Sequence, residues 1–287
     1  MTMLPSALVS TQWLADAMKA SPPAVLDASY HLPAAERDAR AEFTAAHIPG
    51  ARFLDLATLF DPDSAVPYAM PTPEQLAERL AALGVAPETA IVVYDDSAIR
   101  TAARAWFVLT ASGRDNVAVL EGGLGKWRSE GRVVQSGDQP LSPAAAAAAT
   151  LTPARRIRSK ADMLANIAQP REQVLDARGA DRVFGSGIDP IHGGPNGRIP
   201  GALNLPFGGV LNSDGTYRSP DEIRAALTAA GIDLSQPVTT TCGSGVTASV
   251  LMFAMHLIGK HDTALYDGSW SEWGADPDTP KLQGPTT

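Results

Sequence analysis

The chain has 287 residues and a formal net charge of −8, and 45% of its residues are hydrophobic. This length and composition predict a globular protein of about two domains. The negative charge and the absence of a long Lys/Arg cluster argue against a nucleic-acid partner. No apolar run reaches the ~18 residues that a membrane-spanning helix needs, so we expect no membrane contact.

The N-terminal stretch, residues 1–18, has no basic segment, and Asp16 interrupts its apolar residues. It therefore does not resemble a signal peptide, and we predict a cytoplasmic protein. Because the whole chain is acidic, a small anionic substrate would have to be attracted by local charges.

Short β-branched runs alternate with helical patterns in both halves of the chain. Residues 73–83 and 221–230 predict amphipathic helices, since each has Pro near its start and Gly just past its end. Residues 91–94 and 238–241 predict buried strands. Apolar helices should follow both strands and pack on a sheet. This alternation predicts an α/β fold, with a mainly parallel sheet flanked by helices, used twice.

The two halves repeat the same landmarks about 150 residues apart, which indicates a duplicated domain rather than a solenoid. The repeated segments are residues 25–28 and 174–177, 47–51 and 198–202, 73–76 and 220–223, 95–97 and 242–244, and 120–123 and 266–269.

We predict a first domain at residues 8–138, a linker at 139–158 and a second domain at 159–284. Six consecutive alanines, residues 144–149, lie between prolines, and this low-complexity pattern is typical of a linker. The short basic stretch at residues 155–160 is expected to be a solvated inter-domain segment.

Cys242 is the only cysteine, which excludes a disulfide framework and a multi-cysteine metal site. The five histidines show no spacing typical of metal ligands. We expect neither a metal nor a cofactor.

Cys242 directly follows a predicted strand, and the sequence Gly243-Ser244-Gly245-Val246-Thr247 leads into a predicted helix. Open α/β sheets place ligands at this end of a strand. The glycines allow successive N–H groups to turn inward, and the helix N-terminus favours an anion there. Such an environment favours the thiolate form of a cysteine, which is the nucleophilic form. A buried structural cysteine is the alternative reading, but two glycines beside it favour a functional loop.

The first half of the chain has Asp95 at the position equivalent to Cys242. That loop therefore lacks a nucleophile and has a negative charge where an anion would bind. We expect the first domain to be non-catalytic and the second to be catalytic.

These motifs resemble the tandem-domain rhodanese/3-mercaptopyruvate sulfurtransferase family over nearly the whole chain. The resemblance rests on residues 47–51, 94–97, 120–123, 242–248 and 266–273. It implies two rhodanese-like domains and a transfer in two steps. A small anionic donor gives sulfane sulfur to Cys242, and a thiol or cyanide acceptor removes it from the persulfide.

The loop sequence CGSGVTA is typical of the mercaptopyruvate branch of this family, whereas thiosulfate-using members tend to have cations at the positions of Gly243 and Ser244. The resemblance also implies that an arginine binds the anionic group of the donor, and Arg182 fits this position best. A guanidinium suits this role because its planar fork of donors matches a carboxylate or sulfonate. Arg178 is expected to be structural, beside Asp176.

The chain departs from the mercaptopyruvate pattern in two places. Ile191 occupies the position of a second arginine. Ala57 and Met70 occupy the positions of an aspartate and a histidine that would join Ser244 in a Ser-His-Asp arrangement. Asp55 is close in sequence, and His192 is a conceivable replacement cation. Ser244 is expected to donate a hydrogen bond near the sulfur.

Three functions remain open at this point. The favoured one is sulfur transfer from 3-mercaptopyruvate through Cys242, and thiosulfate:cyanide transfer and a non-catalytic rhodanese-like binding protein are the alternatives. A cysteine phosphatase would need an arginine six residues after the nucleophile, and this chain has Ala248 there.

Overall fold

The structure is a computed structural model that describes residues 3–138, 156–192 and 194–284. The described residues form two compact units, one built on each half of the chain. The six alanines and most of the predicted linker lie outside the described residues.

The first unit contains five strands, five α-helices and two short 3₁₀ turns among the described residues. In chain order they are β1 (Leu8–Val9), α1 (Thr11–Ala20), β2 (Ala24–Asp27), a 3₁₀ turn (Pro33–Ala35), α2 (Ala39–Ala45), β3 (Arg52–Phe53), a 3₁₀ turn (Leu56–Thr58), α3 (Pro73–Ala82), β4 (Ile91–Tyr94), α4 (Ala102–Ala111), β5 (Val117–Leu120) and α5 (Gly123–Ser129).

The second unit repeats this order, again with five strands and five α-helices in its described part. The elements are β6 (Ile157–Arg158), α6 (Lys160–Ala168), β7 (Gln173–Asp176), α7 (Ala180–Phe184), β8 (Leu203–Asn204), a 3₁₀ turn (Phe207–Val210), α8 (Pro220–Ala229), β9 (Val238–Thr241), α9 (Val246–Leu257), β10 (Thr263–Tyr266) and α10 (Ser269–Trp273).

Each unit has one five-stranded sheet, and the two sheets have equivalent strand orders, β1-β5-β4-β2-β3 and β6-β10-β9-β7-β8. All the pairings between these strands are parallel. The predicted α/β class, the parallel sheets and the duplication are therefore confirmed. The equivalent strands β4 and β9 lie at the centre of their sheets, and each is followed by a loop and a long helix.

All four residues of β4 and of β9 are buried. β4 is a near-continuous hydrophobic run, as is usual for a strand buried on both faces, whereas β9 is Val-Thr-Thr-Thr, whose β-branched residues favour a strand. The helices after these strands are also largely buried, since α9 has eight buried residues along its twelve-residue length. The predicted helices at 73–83 and 221–230 are observed within one residue at each end. Both begin with a capping box, from Thr72 with Gln75 and from Ser219 with Glu222.

The structure differs from the sequence prediction in the basic stretch at residues 155–160. Ile157–Arg158 is an edge strand paired with β10 rather than part of a solvated linker. Arg158 forms an ion pair with Glu172, and Lys160 forms one with Asp276. The basic residues of this stretch suggested a solvated segment. The acidic partners of Arg158 and Lys160 lie 14 and 116 residues away, so the local sequence could not reveal these ion pairs.

No helix in the described part of the chain is long and apolar enough to cross a membrane.

Candidate active site

Cys242 lies at the carboxyl end of β9, the central strand of the second sheet. Its residue is 2% exposed, and it is a reduced cysteine. Four residues, 242–245, connect β9 to α9, so Cys242 lies three residues before Gly245, the N-cap residue of that helix. Ser244, Val246 and Thr247 are only half-buried. A small molecule can therefore reach the loop from their side.

The backbone of α10 holds this loop. The N–H of Trp270 donates to the carbonyl of Cys242 at 3.0 Å, and the N–H of Ser271 donates to the carbonyl of Gly243 at 2.8 Å. The N–H and C=O of a trans peptide point in opposite directions. Because α10 takes the two carbonyls, the N–H groups of Gly243 and Ser244 point away from α10.

Ser269 adds a side-chain contact to the same loop. Its Oγ accepts a hydrogen bond from the N–H of Cys242 at 3.3 Å and donates to the carbonyl of Tyr266 at 2.8 Å. Ser269 has a φ of +49°, a conformation that costs free energy for a residue with a side chain. Its twin in the first unit is Gly123, with a φ of +56°. The residue with this strained backbone is therefore the one whose side chain contacts Cys242.

The N-terminus of α9 has no side-chain cap. Its N-cap residue is Gly245, with a φ of +78° that favours glycine, and within the described residues no side-chain hydrogen bond caps the helix. The first N–H groups of a helix have no partner within the helix, and together with the helix dipole they attract an anion. The loop therefore presents N–H groups and a partial positive charge beside Cys242.

In the equivalent loop of the first unit, the side chain of Asp95 accepts the N–H hydrogen bonds. The Asp95 carboxylate accepts hydrogen bonds from the N–H of Ser97 at 3.0 Å and of Ala102, the first residue of α4, at 2.6 Å. The N–H of Leu124 donates to the Asp95 carbonyl at 3.0 Å, as Trp270 does to Cys242. The two loops thus have the same backbone support, but in the first unit a carboxylate replaces the nucleophile and caps the helix.

Arg182 and Arg178 share one buried carboxylate, that of Asp189. Arg182 donates from Nε at 3.0 Å and from Nη2 at 2.8 Å to Asp189 Oδ2, and Arg178 Nη1 lies 3.4 Å from the same oxygen. Burial works against ionisation of Asp189, but the hydrogen bond from Arg182 and those from nearby backbone N–H groups outweigh it and lower its pKa. Asp189 thus remains ionised and partly neutralises the arginines.

Arg178 is structural, as the sequence predicted. Its side chain is fully buried and forms an ion pair with Asp176 at 2.7 Å. Its guanidinium also lies over the Trp270 ring, 4.4 Å from the ring centroid. Because Trp270 holds the Cys242 carbonyl, this contact links the arginine cluster to the loop.

His192 packs directly against the Cys242 loop, which the sequence could not establish. A Cβ placed on Gly243 would lie 1.8 Å from His192 Nε2, so the imidazole occupies the space of a side chain at position 243. The φ of Gly243 is not in the left-handed region, so glycine is needed here for space. Burial, assisted by the nearby charge of Arg182, lowers the pKa of His192. It is therefore a neutral imidazole at neutral pH, and the idea of a replacement cation is wrong at that pH.

The structure brings together most of the predicted site residues and adds three. Cys242, Gly243, Ser244, Gly245, Val246 and Thr247 form one loop and helix start, and Arg182 is connected to it through Asp189 and His192. Within the described residues the Ser244 hydroxyl makes no hydrogen bond, so its predicted bond near the sulfur stays a prediction.

Sequence reasoning missed Ser269, Ser271 and Asp189 as loop supports. A serine at the position of Gly123 was the one available signal.

The two positions that break the mercaptopyruvate pattern, Ala57 and Met70, belong to the first half of the chain. Asp55, the nearby carboxylate, caps the short 3₁₀ turn that follows it, because its side chain accepts from the N–H of Ala57 at 3.0 Å.

Comparison with known proteins shows which family the chain resembles. The family model described as "Rhodanese-like domain" matches residues 10–130 and 159–276. The 3-mercaptopyruvate sulfurtransferase of Rattus norvegicus is 41% identical over 93% of this chain and 91% of its own length. The thiosulfate sulfurtransferase of Gallus gallus is 39% identical over 93% of both chains. The crystal structure of SseA from Escherichia coli, described as a 3-mercaptopyruvate sulfotransferase, is similar with a TM-score of 0.83 and 31% identity, over 93% of this chain and 100% of that one.

The chain belongs to the rhodanese-like family, with two domains of that type, and the resemblance noted in the sequence is confirmed. Within this family its curated relatives are sulfurtransferases, and this protein is a sulfurtransferase enzyme.

Asp95 makes the stability of the first unit depend on pH. Burial raises the pKa of Asp95 from 3.8 to about 6, against the hydrogen bonds that it accepts. A raised folded-state pKa means that the folded protein binds the proton more tightly, so this stabilisation is present at pH 4 and is lost as the pH rises through 6. Relative to wild type, Asp95→Asn should therefore gain on the order of 2–3 kcal/mol of unfolding free energy between pH 4 and pH 7.5.

Chemical denaturation of both proteins at several pH values measures this change. Asp115→Asn, at an exposed carboxylate of the same unit, is the control, and its difference from wild type should not vary over this range. An Asp95→Asn difference that is equally flat would contradict the burial argument.

Proposed function

We propose that the protein transfers sulfane sulfur from 3-mercaptopyruvate to a thiol or cyanide acceptor through a persulfide on Cys242. The observation that carries this proposal is the position of Cys242 between a central strand and an uncapped helix N-terminus. That environment favours the binding of a negative charge, such as that of a terminal persulfide anion. The two closely similar sulfurtransferase relatives support the same reaction class.

In the first step of the proposed reaction, sulfur moves from the donor to Cys242. The Cys242 thiolate attacks the donor sulfur, and the bond between that sulfur and carbon breaks with its electron pair on carbon, as an enolate. The thiol proton of 3-mercaptopyruvate ends on this carbon, which gives pyruvate. Cys242 keeps the sulfur as a persulfide anion, and the N–H groups of the loop and the first turn of α9 surround its negative charge.

The charge around the site favours a singly charged donor. Gly243 and Ser244 place no cation in the loop, His192 is neutral at neutral pH, and Asp189 partly neutralises Arg182 and Arg178. A carboxylate such as that of 3-mercaptopyruvate needs one arginine, whereas dianionic thiosulfate needs more positive charge. Arg182 is the proposed carboxylate anchor, because its side chain is 13% exposed whereas that of Arg178 is fully buried.

Thiosulfate:cyanide sulfur transfer is the second candidate. It is favoured by the similarity to the thiosulfate sulfurtransferase of Gallus gallus, which is nearly as high as that to the mercaptopyruvate enzyme. The same Cys242 loop would serve this reaction, with sulfite as the leaving group.

Incubation with 3-mercaptopyruvate should add one sulfur atom to the protein, and the reaction with cyanide should remove it. Because Cys242 is the only cysteine, intact-mass analysis assigns the added sulfur without further mapping. Cys242→Ser, treated identically, should keep its mass and produce no thiocyanate. A wild-type protein whose mass is unchanged by both donors would contradict the persulfide.

The donor preference and the role of Arg182 can be measured together. We expect a higher kcat/KM for 3-mercaptopyruvate than for thiosulfate, for the charge reason given above. Arg182→Ala should raise the KM for 3-mercaptopyruvate about 10- to 100-fold, since hydrogen bonds to charged groups contribute about 1.5–3 kcal/mol. Arg171→Ala, at an exposed arginine of the same unit, should leave KM unchanged. A KM unaffected by Arg182→Ala would remove Arg182 from the donor site.

We also propose that the protein works in the cytoplasm. One relative, from Arabidopsis thaliana, is named as mitochondrial. Immunoblots of fractionated source cells test this proposal, and recovery with a membrane-bounded compartment would contradict it.

A further inference from the structure

The strongest unexplained feature of the second unit is the imidazole of His192 beside the loop that contains the nucleophile. The proposed function assigns chemistry to Cys242 and charge recognition to Arg182, but it includes no group that moves a proton. A thiol acceptor must lose its proton before its sulfur can attack a persulfide, because the thiolate is the nucleophilic form.

The hydrogen bonds around Ser271 assign the tautomer of His192. Ser271 Oγ lies 2.7 Å from the Gly243 carbonyl oxygen and 3.3 Å from His192 Nδ1. A carbonyl oxygen can only accept, so the single hydroxyl proton of Ser271 goes to Gly243. Nδ1 must then donate to Ser271 Oγ, and in a neutral imidazole Nε2 is left unprotonated.

The backbone of His192 is held as well. Asp189 Oδ1 accepts hydrogen bonds from the N–H of His192 at 3.1 Å and of Ile191 at 2.9 Å. The unprotonated Nε2 is therefore fixed against Gly243, the residue that directly follows the nucleophile.

We propose that His192 is the proton-transfer residue of the second half-reaction, and that it takes the proton of a thiol acceptor at Nε2. This inference rests on the proposed persulfide at Cys242. The acceptor thiolate then forms a bond to the terminal sulfur, and the bond between that sulfur and Sγ breaks with its electron pair on Sγ. Nε2 returns the proton to the transferred sulfur, so that Cys242–S–S⁻ and RSH give Cys242–S⁻ and RS–SH.

The surroundings keep Nε2 available as a base. The charged groups that act on the ring are Arg182 from α7, Arg178 after β7 and Asp189 from its own segment. The ring also faces Gly243, next to Cys242, in the loop after β9, and the neutral Ser271 of α10. Burial and the charges of Arg182 and Arg178 outweigh Asp189 and lower the pKa of His192. The imidazole is therefore unprotonated at neutral pH and ready to accept a proton.

The test compares two acceptors in single-turnover reactions of enzyme already loaded with persulfide. Dithiothreitol must be deprotonated, whereas sulfite ion attacks without losing a proton and gives thiosulfate. At pH 7, His192→Gln should transfer sulfur to dithiothreitol about 10²-fold more slowly than wild type, which is the size of a general-base contribution. Transfer to sulfite should be unchanged, and the dithiothreitol defect should shrink as the pH approaches the pKa of the thiol.

Two further variants control for structural effects. His261→Gln, at an exposed histidine of the same unit, should behave as wild type with both acceptors. Gly243→Ala places a methyl group where Nε2 lies and should displace the imidazole, so it should show a dithiothreitol defect of its own. The double variant Gly243→Ala/His192→Gln should then be no slower with dithiothreitol than His192→Gln. An equal defect with both acceptors, or fully additive defects in the double variant, would overturn the assignment.

The tautomer is testable without any sulfur chemistry. Nitrogen NMR of the imidazole should show a protonated Nδ1 and an unprotonated Nε2 at pH 7, and the opposite tautomer would overturn the proposal. Failure of the wild type to acquire sulfur would instead count against the Cys242 persulfide.

Discussion

The site depends on two backbone hydrogen bonds, in which α10 binds the carbonyls of Cys242 and Gly243. A loop between a strand and a helix could expose either its carbonyls or its N–H groups. Because α10 takes the carbonyls, the N–H groups of the next residues face the other way, where an anion can bind. The sulfur chemistry therefore depends on a short helix whose own residues need not touch the substrate. The Trp270 ring extends this dependence to Arg178 and the ion pairs behind it.

The charges of the second unit are arranged as a compensated cluster. Arg178, Arg182, Asp176 and Asp189 form a connected set of ion pairs with low exposure. Buried charges are tolerated when each has a partner, and loss of one partner leaves a costly unpaired charge. The cluster thus fixes the position of the His192 backbone through Asp189 while it adds little net charge near Cys242. The same buried ion pairs thus underlie both the proposed preference for a donor of low charge and the rigidity of the loop.

The sequence predicted the architecture well because its signals are local and occur twice. The strands after which both loops begin, the capped helices and the Asp95–Cys242 difference all follow from adjacent residues. The supports of the loop could not be predicted, because His192 and Ser271 are 79 residues apart and meet only where α10 binds the loop after β9. Arg158 shows the same limit, since its partner Glu172 lies 14 residues away, just before β7. Local pattern identifies elements and nucleophiles, whereas the groups that tune a nucleophile come from long-range contacts.

The Asp95 loop has a further meaning when the two units are compared as copies of one ancestral domain. Its carboxylate bonds the first N–H of α4 and the N–H of Ser97, much as a captured ligand would. The first unit thus supplies the anion for its own loop as a side chain. The Asp95 loop therefore shows, within the same molecule, how N–H groups of a loop with this geometry bind a carboxylate.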